Sequence, residues 1–341
     1  MAEPNRRILL RRRPQGRIRP DDFELVREPA PTPGPGQALA RSCYLSLDPT
    51  NRVWVNDVES YLPPVQIGEV MRGGAIGQVV ASNAPALPVG TIVNGLLGWQ
   101  DYAIVGHGGA MAQAIPPGFP APLPALLGAL GLTGVTAYFG LLDVARPQPG
   151  ETVVVSAAAG ATGSVVGQIA KIKGCRAVGI AGGPEKCRWL RELGFDAAVD
   201  YKAPDWKAQL AAATPGGIDV AFENVGGEIM DEVLSRMKQH GRVALCGLIS
   251  GYNDGQPMRG RFDLVLTKRL RVEGFIILDY APRFLEAIMQ LAGWMAEGKL
   301  QHRDTMVDGL ERAPEAINML FDGTNVGKLI VKVAEPPLPL P

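Results

Sequence analysis

The sequence predicts an α/β fold in which a doubly wound parallel sheet is combined with a separate β-rich domain. A glycine-rich turn joins an apolar strand to an apolar helix at residues 153–167, and strands alternate with helices after it. Residues 1–125 instead contain short β-rich segments interrupted by glycine and proline. Strand–helix alternation is typical of a parallel sheet covered by helices, whereas short interrupted strands are typical of a barrel or sandwich.

The glycine-rich turn reads VVVSAAAGATGSVVG, and it introduces a helix predicted to begin near Ser164. Ala158, Gly160 and Gly163 hold the three positions of a G-x-G-x-x-G fingerprint, with alanine in the first. Minimal side chains there let the backbone turn tightly and approach a pyrophosphate at a helix N-terminus. A glycine turn that serves packing alone is the alternative, and the elements that follow favour the dinucleotide site.

Those elements repeat with a βαβ rhythm. Strands are predicted at residues 176–181, 197–200, 219–223, 242–247 and 271–277, with helices at 184–193 and about 229–238. Together with the strand before the turn they indicate a doubly wound, Rossmann-type sheet.

The cofactor is indicated by a missing carboxylate. A site for NAD usually carries an acidic residue about 20 positions after the fingerprint, where it binds the ribose 2′-hydroxyl. Here the second strand ends in Gly182 and Gly183, and Lys186 follows in the first turn of the next helix. Glycines leave room for a 2′-phosphate and lysine offers it a positive charge. We therefore predict NADP(H), with a solvated surface lysine as the alternative.

Composition excludes several classes of partner. The formal net charge is zero, so electrostatics gives no case for nucleic acid or an anionic membrane. No window reaches the length of a membrane-spanning helix. The basic N-terminal segment lacks the apolar region of a secretory signal, and residues 8–10 are predicted to start a strand. We expect a cytoplasmic protein whose proline-rich end, residues 336–341, is a mobile tail.

Cysteine and histidine spacing does not predict a metal. The seven side chains are scattered, with no C-x-x-C pair; they are Cys43, Cys175, Cys187, Cys246, His107, His240 and His302. The cysteines are expected to pack as small buried hydrophobes in a reducing compartment.

The β-rich domain is predicted to be completed from the far end of the chain. Strands are expected at residues 38–47, 73–81, 91–96 and 99–105, and again at 328–333 after a helix at 314–321. The expected division is residues 1–125 with 305–341 as one domain and 126–304 as the nucleotide domain. A substrate cleft is expected where two such domains meet.

Eight motifs spread along the chain carry a resemblance to a known family. They are SLDPTNR from Ser46, GLTGVTAYFGL from Gly131, AAGATGSVVGQIAK from Ala158, GGPEKCRWL from Gly182, DYK from Asp200, ENVGG from Glu223, CGLISGYN from Cys246 and NVGKLIV from Asn325. The sequence resembles the zinc-free medium-chain dehydrogenase/reductase superfamily. Within it, the nearest branch is that of leukotriene 12-hydroxydehydrogenase, 15-oxoprostaglandin reductase and the alkenal, curcumin-type reductases. The resemblance implies a GroES-like barrel beside the Rossmann domain.

The resemblance also implies a set of cofactor-binding residues. The pyrophosphate turn corresponds to Gly160, Ala161, Thr162 and Gly163, and the 2′-phosphate site corresponds to Lys186 and Tyr201. The remaining cofactor contacts correspond to Asn224, Cys246, Gly247, Leu248, Ile249, Ser250, Phe275, Ile276, Ile277 and Asn325.

The implied reaction is NADPH-dependent reduction of a carbon–carbon double bond conjugated to a carbonyl, in an enone or enal. Hydride addition to the β-carbon generates an enolate whose charge must be stabilised. Tyr252 is the predicted catalytic residue, because a phenol is protonated at neutral pH and can donate to the substrate oxygen or the α-carbon. A tyrosine that only packs over its own loop is the alternative.

One motif departs from the family. Many relatives read SLDPYMR, so Thr50 and Asn51 replace a tyrosine and a methionine in this chain. If the tyrosine lines the substrate cleft, Thr50 and Asn51 form a different wall there. Arg52 and Trp54 either shape the same wall or pack in the barrel.

Two other functions remain open at this stage, a quinone reductase of the same fold and a nucleotide-binding protein without turnover. A zinc-dependent alcohol dehydrogenase is disfavoured because its ligand clusters are not recognisable. A homodimer is expected through the edge strand at 271–277, since an exposed apolar edge needs covering.

Overall fold

The computed structural model describes residues 4–119, 121–254 and 260–340, which form two compact units. One consists of the described residues of Met1–Leu127 and Asp304–Pro341, and the other is Gly128–Arg303. Among the described residues, the first unit contains a two-stranded and a seven-stranded sheet and the second a six-stranded sheet, and each unit has its own core.

The amino-terminal part of the first unit is mostly short strands. Its elements are β1 (Asn5–Leu10), β2 (Phe23–Glu28), β3 (Gln37–Ser46), α1 (Thr50–Trp54), β4 (Ala75–Ser82), β5 (Ile92–Gly95), β6 (Tyr102–Gly106) and β7 (Ala112–Ala114). β1 and β2 form an antiparallel pair, and β3 pairs with both β4 and β6.

The second unit alternates strands and helices. Its elements are α2 (Leu132–Phe139), β8 (Thr152–Val155), α3 (Ala161–Ile172), β9 (Arg176–Ala181), α4 (Pro184–Glu192), β10 (Ala197–Asp200), α5 (Trp206–Ala213), β11 (Ile218–Glu223), α6 (Gly227–Arg236), β12 (Met237–Leu245), α7 (Phe262–Thr267), β13 (Arg271–Gly274) and α8 (Phe284–Ala296).

The chain then completes the first unit. The last elements are β14 (Asp304–Asp308), α9 (Ala313–Ala316), α10 (Met319–Asp322) and β15 (Lys328–Lys332). β15 pairs antiparallel with β3, with Ile330 opposite Ser46, so the predicted return of the terminal strand is confirmed. The single helix predicted at 314–321 is wrong. Asn318 lies between α9 and α10, and its side chain donates hydrogen bonds to the carbonyls of Ile18 and Glu315. Such side-chain bonds compete with the backbone bonds of a continuous helix.

The proline-rich end is not the mobile tail expected from its composition. The Leu338 N–H donates to Gln78 Oε1 at 2.8 Å, and Gln78 Nε2 donates to the Pro339 carbonyl at 3.3 Å. Gln78 is fully buried on β4, and its Nε2 also donates to the Gly90 carbonyl at 3.2 Å, so the tail completes the hydrogen bonding of a buried amide. Pro341 lies outside the described residues.

The parallel sheet of the second unit has the strand order β10-β9-β8-β11-β12-β13. Val154, Val178 and Ile180 face one side, where they pack with Trp206 of α5 and Val233 of α6. The opposite side lies close to α4, because a Cβ at Gly179 would meet Leu190 at 2.7 Å. Helices therefore cover both faces, as the doubly wound prediction requires.

Three predicted boundaries in this unit are wrong. α3 begins at Ala161 rather than near Ser164, because Gly160 is extended and ends the turn directly. α6 ends before Met237, which pairs with Ile218 and so begins β12. β13 ends at Gly274 rather than at residue 277, and a 3₁₀ segment, Ile277–Arg283, follows it.

Among the described residues, no helix combines the length and apolar character that crossing a bilayer requires.

Candidate active site

The predicted cofactor residues of the second unit lie at one edge of its sheet. All the strand pairs are parallel, so the carboxyl ends of the strands meet at the same edge. The residues that follow those ends are Ser156, Gly182, Tyr201, Asn224, Cys246 and Phe275. β8 and β11 are neighbours from which the chain winds in opposite directions, and ligands of open α/β sheets bind outside such a switch point.

The fingerprint turn after β8 is shaped by close backbone packing. Ala157 has a positive φ of 48°, and a Cβ on Gly163 would lie 2.5 Å from the Ala157 carbonyl oxygen. Ala158 holds the first fingerprint position because its methyl group lies against Gly179 of the neighbouring strand, where an added Cβ would approach it to 2.8 Å. The turn thus needs a small residue at 158 and glycine at 163.

The turn presents the N-terminus of α3 at the switch point. The first N–H groups of a helix have no intrahelical acceptor and carry a partial positive charge. In α3 these belong to Ala161, Thr162 and Gly163, and its first turn contains no acidic residue. This arrangement fits a pyrophosphate.

Two lysines form a cationic corner at the ends of β9 and β10. Lys186 lies on α4, and its pKa is lowered by burial and by the positive charge of Lys202. Within the described residues neither lysine forms an ion pair. Glu185 offsets part of this charge. Two neighbouring cations that form no ion pair still favour binding of an anion, and the chemistry of this corner fits a 2′-phosphate.

Tyr201 lies beside Lys202 at this corner. A Cβ on Gly182 would lie 2.9 Å from its ring and 3.0 Å from Lys202 Cε, so this glycine makes room for both. Asp200 does not neutralise the corner through an ion pair. Its Oδ1 accepts from the N–H groups of Gly183 and Lys202, which holds the two loops together. Sequence reasoning missed Lys202, although the DYK motif contains it.

Asn224 is held at the switch point from two sides. Its N–H donates to Ser156 Oγ at 2.8 Å, and its side-chain Nδ2 donates to the Ser156 carbonyl at 2.7 Å. Glu223 Oε1 accepts from the N–H groups of Val225 and Gly226, both at 2.7 Å. Burial raises the pKa of Glu223. Ser156 and Glu223 are positioning residues that the sequence did not reveal.

The loop after β12 borders a cavity of about 430 Å³, a volume typical of small-molecule sites. It is lined by Leu245, Cys246, Gly247, Leu248, Tyr252, Gly274, Phe275, Ile276 and Asp279. The loop is tied to β11, since Cys246 N–H donates to the Glu223 carbonyl and Ser250 Oγ donates to the Val225 carbonyl.

Tyr252 is oriented within this cavity. Its phenol oxygen accepts a hydrogen bond from the Leu248 N–H at 3.2 Å. A Cβ on Gly247 would lie 3.3 Å from the same oxygen, so glycine permits the approach. A phenol is a donor as well as an acceptor, which suits the predicted catalytic role.

Other predicted cofactor residues contribute differently. Ile249 N–H donates to the Asn224 carbonyl, so it and Ser250 fasten the loop. The Phe275 ring packs edge-on against Phe222, with centroids 6.2 Å apart, and the Ile277 side chain packs in the α2–α8 cluster.

The predicted site residues of the first unit mostly form hydrogen bonds within that unit. Asn51 is 1% exposed, and its amide accepts from Asp48 N–H and donates to the Arg72 carbonyl. Arg52 is buried and donates to the Gly16 carbonyl, which is the packing alternative. Asn325 Nδ2 donates to the Gly327 carbonyl at 3.0 Å.

Cys43, Cys175 and Cys187 are buried as expected, but Cys246 is partly exposed because it borders the cavity. Although the residue as a whole is partly exposed, desolvation of its sulfur and the charge of Glu223 raise the pKa of Cys246 to about 12, which leaves it a thiol rather than a thiolate. Within the part of the chain that the structure describes, no group of three or more His, Cys, Asp or Glu side chains could hold a metal.

The family models, the related sequences and a solved structure all indicate the same family of proteins. Residues 6–113 match a model described as the N-terminal domain of oxidoreductase, and residues 161–293 match one described as zinc-binding dehydrogenase. NADPH-dependent curcumin reductase of Escherichia coli is 46% identical over 338 residues, 97% of each chain. Prostaglandin reductase 1 of Mus musculus is 42% identical, covering 91% of this chain and 94% of its own. A crystal structure of CurA from Vibrio vulnificus in complex with NADPH is 44% identical, with a TM-score of 0.92 over 97% of this chain and 100% of that chain.

The fold and the edge site define a dinucleotide-dependent oxidoreductase. The chain belongs to the zinc-free medium-chain dehydrogenase/reductase superfamily, in the branch that contains curcumin, prostaglandin and alkenal reductases. The family and the fold class predicted from the sequence are therefore confirmed.

Proposed function

We propose that this protein uses NADPH to reduce the carbon–carbon double bond of α,β-unsaturated aldehydes or ketones. The observation that carries the proposal is found at one sheet edge: a corner of two lysines that form no ion pair within the described residues, together with a cavity that contains an oriented phenol. The relatives named above support it, as does the 2-alkenal reductase (NADP(+)-dependent) of Nicotiana tabacum, which is 38% identical over 98% of this chain.

The cofactor site is assigned to the carboxyl edge of the sheet. Ala161, Thr162 and Gly163 would hold the pyrophosphate through backbone N–H groups. Lys186 would hold the 2′-phosphate with Tyr201, and Lys202 adds charge to the same corner. Asn325 stays a prediction that rests on the family motif.

The bound cofactor supplies hydride to the β-carbon of the alkene. The protein must then stabilise the negative charge that develops on the substrate oxygen. Tyr252 donates a hydrogen bond to that oxygen, and the Leu248 N–H holds the phenol in place. The surrounding cavity is lined mainly by apolar and glycine residues, so the hydrogen bond is stronger there than in water.

A homodimer formed through the second unit is part of the proposal. β13 lies at one end of the sheet order, and its outer edge has no strand partner within the described residues. Phe262 and Leu266 of α7, which precedes β13, are 75% and 77% exposed. An unpaired edge strand that follows a helix with exposed apolar side chains favours association with a second copy.

A cytoplasmic location is proposed on the cysteine chemistry. Cys43, Cys175, Cys187 and Cys246 are all free thiols. Proteins in oxidising compartments more often pair such residues in disulfides.

A substrate panel tests the reaction. Purified protein is given NADPH with enones, enals and quinones, and the decrease in NADPH absorbance is followed beside product analysis. We expect oxidation with the enones and enals and a saturated carbonyl product. Steady oxidation with quinones and none with enones would replace the proposal with quinone reduction. Binding of NADPH without oxidation by any compound would indicate a protein without turnover.

A further inference from the structure

A single charged side chain lines the cavity that contains Tyr252. Among the residues that the structure describes, Asp279 is the one lining residue with a formal charge, and the others present apolar groups, backbone, a thiol or a phenol. Asp279 is exposed, so its carboxylate lies where the cavity opens to solvent. The proposed reaction gives this carboxylate no role, since the cofactor supplies hydride and Tyr252 donates the hydrogen bond.

The backbone around Asp279 is anchored beside the cavity. Asp279 belongs to the 3₁₀ segment Ile277–Arg283, and its N–H donates to the carbonyl of Ile276, another lining residue, at 3.1 Å. Just before it, the Phe275 ring packs edge-on against Phe222 of β11. The first side chain of the segment packs in the α2–α8 cluster. The backbone that carries the carboxylate is therefore fixed relative to the sheet.

This carboxylate forms no ion pair within the described part of the chain. Arg271, the nearest basic residue before it, pairs with Glu273. Arg283, the nearest basic residue after it, pairs with Glu286 at 2.9 Å and with Asp143. The basic side chains on either side along the chain are thus engaged elsewhere, and the negative charge at the opening of the cavity is not offset by them.

The resulting charge pattern penalises anions in the cavity. A substrate carboxylate would be repelled by Asp279, and no described lining residue offers it a positive charge. Glu223, whose charge acts on Cys246 of the lining, has the same sign. An ester of similar shape avoids this repulsion, and an ammonium group is attracted instead. Repulsion of the wrong ligand is one of the two ways in which a site becomes specific.

We propose that Asp279 is a specificity-determining residue that selects substrates by charge. Enones that end in a carboxylate are disfavoured, whereas neutral enones and enones that carry an ammonium group are accepted. This inference rests on the proposed function, because it names the class of enone that the same cavity takes. The effect comes from the charge of Asp279, so a substitution that keeps its shape but removes its charge should abolish it.

The test uses linear enones of increasing chain length that end in a carboxylate, in its methyl ester or in an ammonium group. In wild type, at one or more chain lengths, we expect KM for the carboxylate to be about tenfold above that for the ester, with the ammonium compound at or below the ester. Asp279→Asn should bring the carboxylate and ester to similar KM values, and Asp279→Lys should reverse their order. The kcat for the ester and the affinity for NADPH should stay nearly unchanged.

Two controls separate the charge of Asp279 from a structural effect. Glu297→Gln removes a carboxylate just beyond the far end of α8, a helix about 20 Å long, and should leave the preference for the ester unchanged. Added salt should weaken that preference in wild type but not in Asp279→Asn, because salt screens exposed charges. A preference that persists in Asp279→Asn, or an altered NADPH affinity in that variant, would overturn the inference.

Binding of the saturated carboxylate and ester, followed by calorimetry, separates this inference from the proposed function because it needs no turnover. Weaker binding of the carboxylate in wild type, with the difference lost in Asp279→Asn, would support the inference even if no enone were reduced. Equal binding of the two, or binding of neither, would overturn it. Equal KM values for carboxylate and ester enones in wild type would also overturn it, while leaving the proposed function intact. Thermal melting checks folding, and if Asp279→Asn is unstable, Asp279→Lys and the salt dependence decide the question.

Discussion

Lys186 is the residue on which cofactor choice depends most directly. It is half-buried beside Lys202 and has no ion pair within the described residues, so its charge is available to an anion. Lys186→Ala should raise KM for NADPH about 10- to 100-fold, the effect of losing a charge-assisted hydrogen bond. Activity with NADH should change little. Lys171→Ala, which removes a lysine paired with Asp196, is the control. Equal losses with both cofactors would contradict the assignment.

The same lysine predicts a pH dependence. Burial and Lys202 lower the pKa of Lys186, so it loses its positive charge at a lower pH than an exposed lysine does. As pH rises through this lowered pKa, affinity for NADPH should fall while affinity for NADH stays nearly constant. Fluorescence titrations from pH 7 to pH 10 measure both. Lys186→Arg, which keeps its charge, should flatten the NADPH curve. A parallel decline for the two cofactors would exclude Lys186 as the cause.

Tyr252 predicts an effect on chemistry rather than on cofactor binding. Tyr252→Phe removes the donor and keeps the ring, so kcat with an enone should fall about 10²- to 10³-fold. The dissociation constant for NADPH should stay within a factor of two, because Leu248 N–H loses an acceptor but the loop keeps its bonds to β11. An unchanged kcat would indicate that Tyr252 only packs over its loop and has no catalytic role.

At the residue scale, the sequence predicted functional side chains that follow a recognisable strand or glycine turn. Lys186 follows two glycines after a strand, and Tyr252 lies in a loop after another strand. Lys202, Ser156 and Glu223 also lie at strand ends within motifs, but their importance depends on which strands are neighbours in the sheet. That information is absent from any short stretch of sequence.

At the scale of elements, the fingerprint turn is the most constrained segment. A Cβ on Gly163 would lie 2.5 Å from the Ala157 carbonyl oxygen, so Gly163→Ala must displace the turn. We expect a loss of about 1–3 kcal/mol in the free energy of unfolding, together with weaker NADPH binding. Gly293→Ala is the control, because Gly293 lies within α8 and a Cβ there meets nothing within 4 Å.

The control should leave cofactor binding unchanged and stabilise the protein by about 0.5–1 kcal/mol, the difference in helix propensity. Chemical denaturation measures both variants. If Gly163→Ala is as stable as wild type and binds NADPH normally, the turn is not the tight anion site assigned to it.

Element order was predictable because hydrophobic period and glycine turns are local signals. The boundaries of the elements were less predictable where tertiary contacts determine them. Met237 belongs to a strand because it pairs with Ile218, and β13 ends at Gly274. The end of the chain shows the same limit, since its composition did not reveal that Gln78 binds Leu338 and Pro339.

At the scale of the whole molecule, the exposed edge at β13 predicts a homodimer. Light scattering at micromolar concentration should give about twice the chain mass of 36.3 kDa. Replacing Phe262 and Leu266 together by aspartate should shift the mass toward that of one chain, because both side chains are highly exposed on the helix that precedes β13. A wild-type protein that is monomeric at this concentration would refute the dimer.

The central claim is that a phosphorylated dinucleotide delivers hydride to an electron-poor alkene at this sheet edge. The most direct measurement uses NADPH labelled with deuterium at C4 and a simple α,β-unsaturated ketone, with the product analysed by NMR. We predict a saturated ketone with deuterium at the β-carbon and an intact carbonyl. An allylic alcohol with deuterium on the carbonyl carbon, or no transfer to any enone, would contradict the account.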